Sequence, residues 1–239
     1  MIQASPLTFG ILETDIVAEE LRGTFGTYRQ MFSELLAKQD PTLQFNYYNV
    51  IEGEYPSNID ECDAYLITGS KANSYDNDPW IVRLKEYIKE LASEEKKLIG
   101  ICFGHQLIAH ALGGLAGKSA KGWAVGVTTS DLVNPQPSWL SGEKTAFKLL
   151  VSHQDQVLQL PDNATLLAGN TFCPYGAYSI DQHILCFQGH PEFHPDYARG
   201  LLEKRREIIG ETLCEKAITS YSQATDHELV ARWILRFVD

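Results

Sequence analysis

The sequence predicts an α/β fold in which a mostly parallel central sheet is flanked by helices and carries a small antiparallel extension. In the first half of the 239-residue chain, short strand-like runs alternate with helical patterns, as in parallel sheets with crossover helices. After residue 114 the strand-like runs follow one another closely with turn residues between them, which is typical of antiparallel strands. No repeat, low-complexity tract or linker divides the chain, so we expect one domain over residues 1–239.

In the first half, apolar residues three and four positions apart predict amphipathic helices between the strands. Tyr28, Met31 and Leu35, for example, give one apolar stripe to a helix over 27–38. Asp78-Pro79 opens the next helix, whose apolar residues run from 80 to 91. The predicted strands are 7–12, 43–50, 64–67 and 97–101, and a helix follows from residue 103 to Gly113-Gly114.

The second half is predicted to add an antiparallel ribbon and then to finish with helices. Helical spacing returns at Asp196, and a last helix covers 226–237. The candidate strands before it are 124–129, 147–151, 165–168, 177–180 and 184–187.

Cys102 lies between Gly100 and Gly104, at the end of the strand over 97–101. This spacing is typical of a nucleophile on a sharp strand-to-helix turn, where a Cβ at either glycine has no room. The helix starting near Phe103 would point its N-terminal N–H groups at the thiol and favour the reactive thiolate. The alternative is a small buried apolar residue, but simple packing does not require two glycines at this spacing.

A base for this thiol is found in the segment 188–193, which follows the strand over 184–187. Because the carboxyl ends of parallel strands meet at one edge of a sheet, we expect His190 to lie near Cys102. His190 can take or give the proton. Glu192 can accept a hydrogen bond from the second ring nitrogen, which fixes the tautomer and stabilises the imidazolium.

Other roles for this segment fit the sequence less well. His190 and Glu192 match the His-x-Glu of zinc deaminases, but no Pro-Cys-x-x-Cys follows. A metal held by side chains of 190–196 would need a regular helix, which Pro191 and Pro195 break. A purely structural histidine stays open. We therefore expect no metal ligand here and no cofactor.

Composition restricts the partners and the compartment. The formal net charge of −11 disfavours nonspecific nucleic-acid binding, because phosphates would be repelled. No segment reaches the roughly 18 uninterrupted apolar residues that a membrane span needs. The five cysteines are odd in number, widely spaced and without a Cys-x-x-Cys pair, which favours reduced thiols and a cytoplasmic setting.

Two further segments share the pattern of a known family. Residues 64–70, Ala-Tyr-Leu-Ile-Thr-Gly-Ser, resemble its apolar strand ending in a glycine pair, with Ser70 in place of the second glycine. Residues 151–157, Val-Ser-His-Gln-Asp-Gln-Val, resemble its Ser-His-x-Asp-x-Val motif. With residues 113–123 and the cysteine, histidine and glutamate above, they make the chain from about residue 60 to 193 similar to class I glutamine amidotransferases of the Cys-His-Glu type, such as the glutaminase domain of GMP synthetase.

The resemblance implies a flavodoxin-like fold and a full set of site residues. Serine tolerates positive φ less well than the usual glycine, but a backbone donor survives the change. Read alone, His153 would more often belong to a surface turn. The implied site consists of the triad Cys102, His190 and Glu192, an oxyanion hole of the Ser70 and Phe103 N–H groups, and the substrate-binding residues Gly69, Gln106, Ser152 and His153.

The resemblance also implies a reaction. The Cys102 thiolate would attack the side-chain amide of glutamine, or another γ-glutamyl amide, and His190 would help to hydrolyse the resulting thioester. Family members normally pass ammonia to a synthetase, yet the 47 residues after Glu192 contain no phosphate-binding glycine loop for one. Three roles therefore stay open: a standalone γ-glutamyl peptidase, a non-catalytic binding module, and a glutaminase that serves a separate synthetase subunit.

Overall fold

The structure is a computed structural model that describes residues 6–140, 142 and 144–239. Strands and helices alternate in its first half, as predicted, and helices close the chain. The strands are β1 (Thr8–Glu13), β2 (Gln44–Asn49), β3 (Ala64–Ile67), β4 (Lys97–Ile101), β5 (Leu115–Lys118), β6 (Ala124–Leu132), β7 (Ala146–His153), β8 (Asp155–Gln159), β9 (Ala164–Gly169), β10 (Ala177–Ile180) and β11 (Ile184–Phe187). The α-helices are α1 (Glu19–Phe25), α2 (Tyr28–Ala37), α3 (Pro79–Ser93), α4 (Phe103–Ala111), α5 (Pro195–Lys204), α6 (Arg206–Ile209), α7 (Glu211–Ser220) and α8 (His227–Val238).

Nine strands form one mixed sheet in the order β2-β1-β3-β4-β11-β10-β9-β6-β7. The first five are parallel, and their order is the 2-1-3-4-5 order of flavodoxin-like folds. The other four continue the sheet as antiparallel neighbours, so the predicted extension belongs to the main sheet. The predicted α/β fold class is confirmed.

Three elements were absent from the sequence prediction, and each lacks a periodic apolar signal. Helix α1 buries none of its residues and contains Gly23. Strands β5 and β8 pair in a separate two-stranded sheet, and each alternates too briefly to stand out. Strands β3, β4, β10 and β11 have the predicted bounds.

Apolar side chains pack on both faces of the sheet. On one face α2 and α8 cover the sheet, with Phe32 and Trp233 fully buried. On the other face α3 and α4 pack through residues such as Ile88 and Phe103. The sheet is thereby fixed between two helical layers, and its carboxyl edge, where β1, β3, β4 and β11 end, stays available for a site. Among the described residues no helix has both the length and the apolar character to cross a bilayer.

Candidate active site

Cys102 occupies the turn between β4 and α4. Its backbone has φ 52° and ψ −98°, and it is one of three non-glycine residues with positive φ in the described part of the chain. Such a conformation costs on the order of 1–3 kcal/mol and persists only where the surroundings enforce it. Here the Cys102 N–H donates to the Phe187 carbonyl at 2.9 Å, which ties the turn to β11. The structure thus contains the strained strand-to-helix turn that the sequence predicts.

The two glycines of this turn are required by close approach. A Cβ on Gly104 would lie 2.6 Å from the carbonyl oxygen of Ile67 in β3. A Cβ on Gly100 would lie 2.7 Å from Ile108 Cδ1 and 2.9 Å from the carbonyl carbon of Gly104. Helix α4 can therefore start this close to the sheet only if both positions lack a side chain.

His190 follows β11 and is fixed by contacts on three sides. Its N–H donates to the Leu150 carbonyl at 2.8 Å, which places its backbone against β7. Its ring stacks on Phe193, with centroids 3.8 Å apart. Its Nδ1 lies 2.7 Å from Glu192 Oε1, and both side chains are buried. These contacts leave Nε2 to face the thiol of Cys102.

The charges around His190 favour its protonated form. Burial lowers the pKa of His190, but the negative charges of Glu192 and Cys102, and hydrogen bonds to both, outweigh burial and raise that pKa to about 10. The arrangement therefore suits an imidazolium that is paired with a thiolate on one side and a carboxylate on the other.

Gly69 follows β3 and lies directly against this pair. A Cβ at this position would be 2.8 Å from His190 Cε1 and 3.7 Å from Cys102 Cβ. Any side chain would displace the imidazole. The sequence places glycine here because the backbone itself has to approach the reacting atoms.

Thr14, just after β1, orients the loop that Gly69 begins. Its Oγ1 lies 3.0 Å from the carbonyl oxygens of both Thr68 and Gly69, and its N–H donates to Thr68 Oγ1 at 3.0 Å. Because the carbonyl and N–H of one trans peptide unit point in opposite directions, the Ser70 N–H points away from Thr14. Ser70 does not adopt positive φ, so the exchange of glycine for serine strains nothing.

The Phe103 N–H is the first of α4. The first N–H groups of a helix have no acceptor within it, and they carry the positive end of the helix dipole. The Phe103 side chain is buried and packs on Trp80, with ring centroids 5.6 Å apart, which fixes the start of the helix. Ser70 and Phe103 thus stand as the candidate oxyanion donors on the two loops that meet at Cys102.

Gln106 is only 3% exposed, and its amide is engaged in a chain of hydrogen bonds. Its Nε2 donates to the carbonyl of Asp155 at 2.8 Å and to Oε1 of Gln188 at 3.2 Å. Gln188 Nε2 in turn points at Cys102 Sγ, 3.6 Å away. Gln106 therefore supports the thiol through Gln188, and only its Oε1 is left for a substrate ammonium.

Ser152 and His153, at the end of β7, lie across from the thiol. Ser152 Oγ accepts from Arg205 Nη1 at 3.0 Å, and the Arg205 guanidinium lies over the Trp123 ring. His153 Nδ1 donates to the carbonyl of Asp155 at 2.8 Å. Burial lowers the pKa of His153 to about 4, so this ring is neutral at physiological pH.

These residues open onto a cleft of about 420 Å³. Five of the predicted site residues line it, and Gly69, His190 and Glu192 lie beneath its floor with Phe103. Three cationic side chains reach it from different elements, in a chain whose formal net charge is −11. The lining residues predicted from the sequence are Ser70, Cys102, Gln106, Ser152 and His153, and the cations are Lys71, Lys118 and Arg205.

The sequence analysis did not single out Thr14, Gln188 or Arg205. Gln188 directly precedes Gly189-His190, so its nearness to the histidine was a usable signal. Thr14 and Arg205 are far from the motifs in sequence. Arg205 belongs to a basic run flanked by glutamates, a pattern that is typical of a solvated helix face.

The alternative metal site over 190–196 does not assemble. His194 and Asp196 are exposed, and His194 caps α5 by accepting from the Asp196 N–H at 3.2 Å, whereas Glu192 is buried against His190. In the described ranges no group of three or more metal-binding side chains is placed to hold an ion.

Comparison with known proteins agrees with this geometry. Residues 28–205 match the model of the family "Glutamine amidotransferase class-I". Gamma-glutamyl peptidase 4 of Arabidopsis thaliana is 34% identical over 193 residues, which cover 78% of this chain and 76% of the relative. A glutamine amidotransferase of Thermotoga maritima, 16% identical, superposes with a TM-score of 0.74 over 99% of this chain and 97% of its own. A GMP synthase subunit from Thermoplasma acidophilum is 19% identical with a TM-score of 0.61, covering 86% of this chain and 98% of its own.

An α/β fold with a cysteine on a strained elbow and a buried histidine–carboxylate pair defines a cysteine amidohydrolase. The chain belongs to the class I glutamine amidotransferase family, because the family model covers most of its length.

Proposed function

We propose that the protein hydrolyses the γ-glutamyl amide bond of small γ-glutamyl peptides, using Cys102, His190 and Glu192 as its catalytic triad. The carrying observation is the cleft beside the thiol, about 420 Å³ in volume and bordered by three cations. This volume is typical of small-molecule sites and exceeds what a free amino acid needs. The similarity to Gamma-glutamyl peptidase 4 supports the same substrate class.

The reaction begins with attack of the Cys102 thiolate on the γ-carbonyl carbon of the substrate. The developing oxyanion accepts hydrogen bonds from the Ser70 and Phe103 N–H groups, on opposite sides of the thiol. His190, protonated because its pKa is raised to about 10, gives a proton to the leaving amine, and a γ-glutamyl thioester remains on Cys102. Glu192 holds the ring in position through Nδ1.

Hydrolysis of the thioester completes the cycle. His190, neutral after giving up its proton, takes a proton from water, and the hydroxide formed attacks the thioester carbonyl. The same two N–H groups stabilise the second oxyanion, and glutamate leaves as the thiolate–imidazolium pair is restored. The chain's own side chains supply every step, so the mechanism calls on no cofactor.

The cations are placed for the part of the substrate beyond the scissile bond. Arg205 is held by Ser152 and Trp123 with its guanidinium at the cleft, and a planar guanidinium suits a carboxylate. A γ-glutamyl peptide carries such a carboxylate, whereas glutamine has only a leaving ammonia there. Gly69, Gln106 and His153 would line the glutamyl half of the site. The five free cysteines, one of them the nucleophile, suit a reducing cytoplasm.

The experiment compares γ-glutamyl-cysteinyl-glycine, its α-glutamyl isomer and glutamine as substrates of wild type, Cys102→Ala and Arg205→Met. We expect wild type to release glutamate from the γ-linked peptide only, Cys102→Ala to release none, and Arg205→Met to raise KM for the peptide. Equal or faster ammonia release from glutamine would instead favour a glutaminase that serves a separate synthetase subunit. Release that survives in Cys102→Ala would contradict the triad.

A further inference from the structure

A second cavity, of about 300 Å³, lies behind the triad. It is bounded by α2, by the start of α5 and by the segment that leads into α8, and it shares no lining residue with the cleft at Cys102. Pro191, Glu192 and Phe193 line its inner end, so this cavity reaches the carboxylate that holds His190.

The inner end of this cavity contains a carboxylate oxygen with an unused hydrogen-bonding capacity. Glu192 Oε1 is paired with His190, but Oε2 is buried and has no hydrogen-bond partner among the described residues. The exposed fraction of the Glu192 side chain is 0%. Leaving a buried charged oxygen unpaired costs free energy, so a donor delivered through the cavity would bind there favourably.

The rest of the lining suits an apolar body with one positive end. Phe25, Tyr197 and Phe193 form edge-to-face contacts, with centroids 5.6 Å and 4.7 Å apart, and Met31 lies beside them. The nearby aromatic faces can also attract a cation. The outer charges, Glu34 and Lys38, are one helical turn apart on α2 and offset each other, so the charge a ligand meets inside is that of Glu192.

We propose that this cavity is a regulatory site for a primary ammonium on a short apolar chain, with an N–H bonded to Glu192 Oε2 and the chain packed on Phe25, Met31 and Phe193. Glu192 then divides its negative charge between the ligand and His190. The imidazolium is stabilised less, so fewer molecules hold the thiolate–imidazolium pair and hydrolysis slows without competition from substrate. This effect on rate rests on the proposed function, whereas the binding does not.

Binding is tested by calorimetry with n-butylammonium and, as the uncharged control, 1-butanol. We expect saturable binding of the ammonium to wild type and at least about tenfold weaker binding to Glu192→Gln, since a hydrogen bond to a charged group contributes about 1.5–3 kcal/mol. Thr24→Trp, at the exposed mouth, should also weaken it, while Thr212→Trp, exposed on α7 away from the cavity, should not. No saturable binding, or equal binding to wild type and Glu192→Gln, would overturn the site.

The regulatory effect is tested separately by steady-state hydrolysis at fixed pH. Saturating n-butylammonium should lower kcat in wild type and Thr212→Trp while leaving KM unchanged, and Thr24→Trp should resist it. Binding without a change in kcat would refute the coupling to His190. If the protein hydrolysed no γ-glutamyl substrate, the calorimetric result would still decide on the site, so the two proposals fail independently.

Discussion

His190 Nδ1 lies 2.7 Å from Glu192 Oε1, and the carboxylate that makes this contact is fully enclosed by protein. A charge in such a place acts on its neighbour with little screening. Glu192 is therefore the residue through which the protonation state of His190 is set, although it touches no reacting atom.

Replacing Glu192 by glutamine keeps the shape but removes this charge. We expect kcat to fall by about 10²–10⁴, by comparison with the loss of the orienting carboxylate in other triads, while KM changes little. The pKa of His190 should drop, so the thiolate–imidazolium pair is lost at lower pH than in wild type. The pH profile of iodoacetamide alkylation at Cys102, read by peptide mass spectrometry, checks this. A profile identical to wild type would mean that Glu192 does not control His190.

Thr14→Val should loosen the oxyanion loop without touching substrate. Valine keeps the volume of threonine but cannot make the contacts to the Thr68 and Gly69 carbonyl oxygens. If one oxyanion donor is misplaced as a result, kcat falls by about 10²-fold or more with KM nearly constant. Thr14→Ser, which retains the hydroxyl, should recover most of the rate. An equal loss in both variants would point to packing instead of orientation.

Gly104→Ala should destabilise the protein because its Cβ would meet the Ile67 carbonyl oxygen at 2.6 Å. Overpacking of this kind costs about 1–3 kcal/mol. The matched control is Gly23→Ala in helix α1, where a Cβ would meet nothing within 4 Å and alanine is the better helix former by up to about 1 kcal/mol. Urea unfolding of the two variants should thus shift in opposite directions, and a neutral Gly104→Ala would show that the elbow can relax.

Acid should destabilise the protein through His105. Burial lowers the pKa of His105 to about 3, whereas an unfolded histidine has a pKa of about 6.5. Between these values the unfolded chain binds one more proton at this residue, so stability is lost as pH falls below about 6.5, by up to about 1.4 kcal/mol per pH unit. His105→Met cannot be protonated and should show a shallower decline in unfolding free energy from pH 7 to 4.5. Parallel declines in both proteins would contradict this assignment.

The fold was predictable wherever the chain repeats an apolar pattern. The runs that became β3, β4 and β11 are buried on both faces and therefore read as continuous apolar segments. Helix α1 and strands β5 and β8 bury too little apolar surface to leave such a pattern, and the tertiary contacts that define them lie far away in sequence.

The candidate site divides in the same way. Cys102 and His190 stand in local motifs because a sharp turn needs glycines at fixed spacing, and such spacing is visible in the sequence. Thr14, Gln188 and Arg205 act through contacts made only when β1, β11 and α5 meet at one edge of the sheet. Gln106 was predicted to hold substrate, and its burial against Asp155 and Gln188 assigns it a supporting role as well.

The central claim is that Cys102 carries the γ-glutamyl group during turnover, and trapping that intermediate tests it most directly. Wild type is mixed with a γ-glutamyl anilide, quenched in acid within milliseconds and digested for mass spectrometry, with Cys173→Ser as the matched cysteine control. We predict a γ-glutamyl adduct on the peptide that contains Cys102 in both proteins, and none in Cys102→Ala. Turnover with no adduct on Cys102, or an adduct on another residue, would contradict the account.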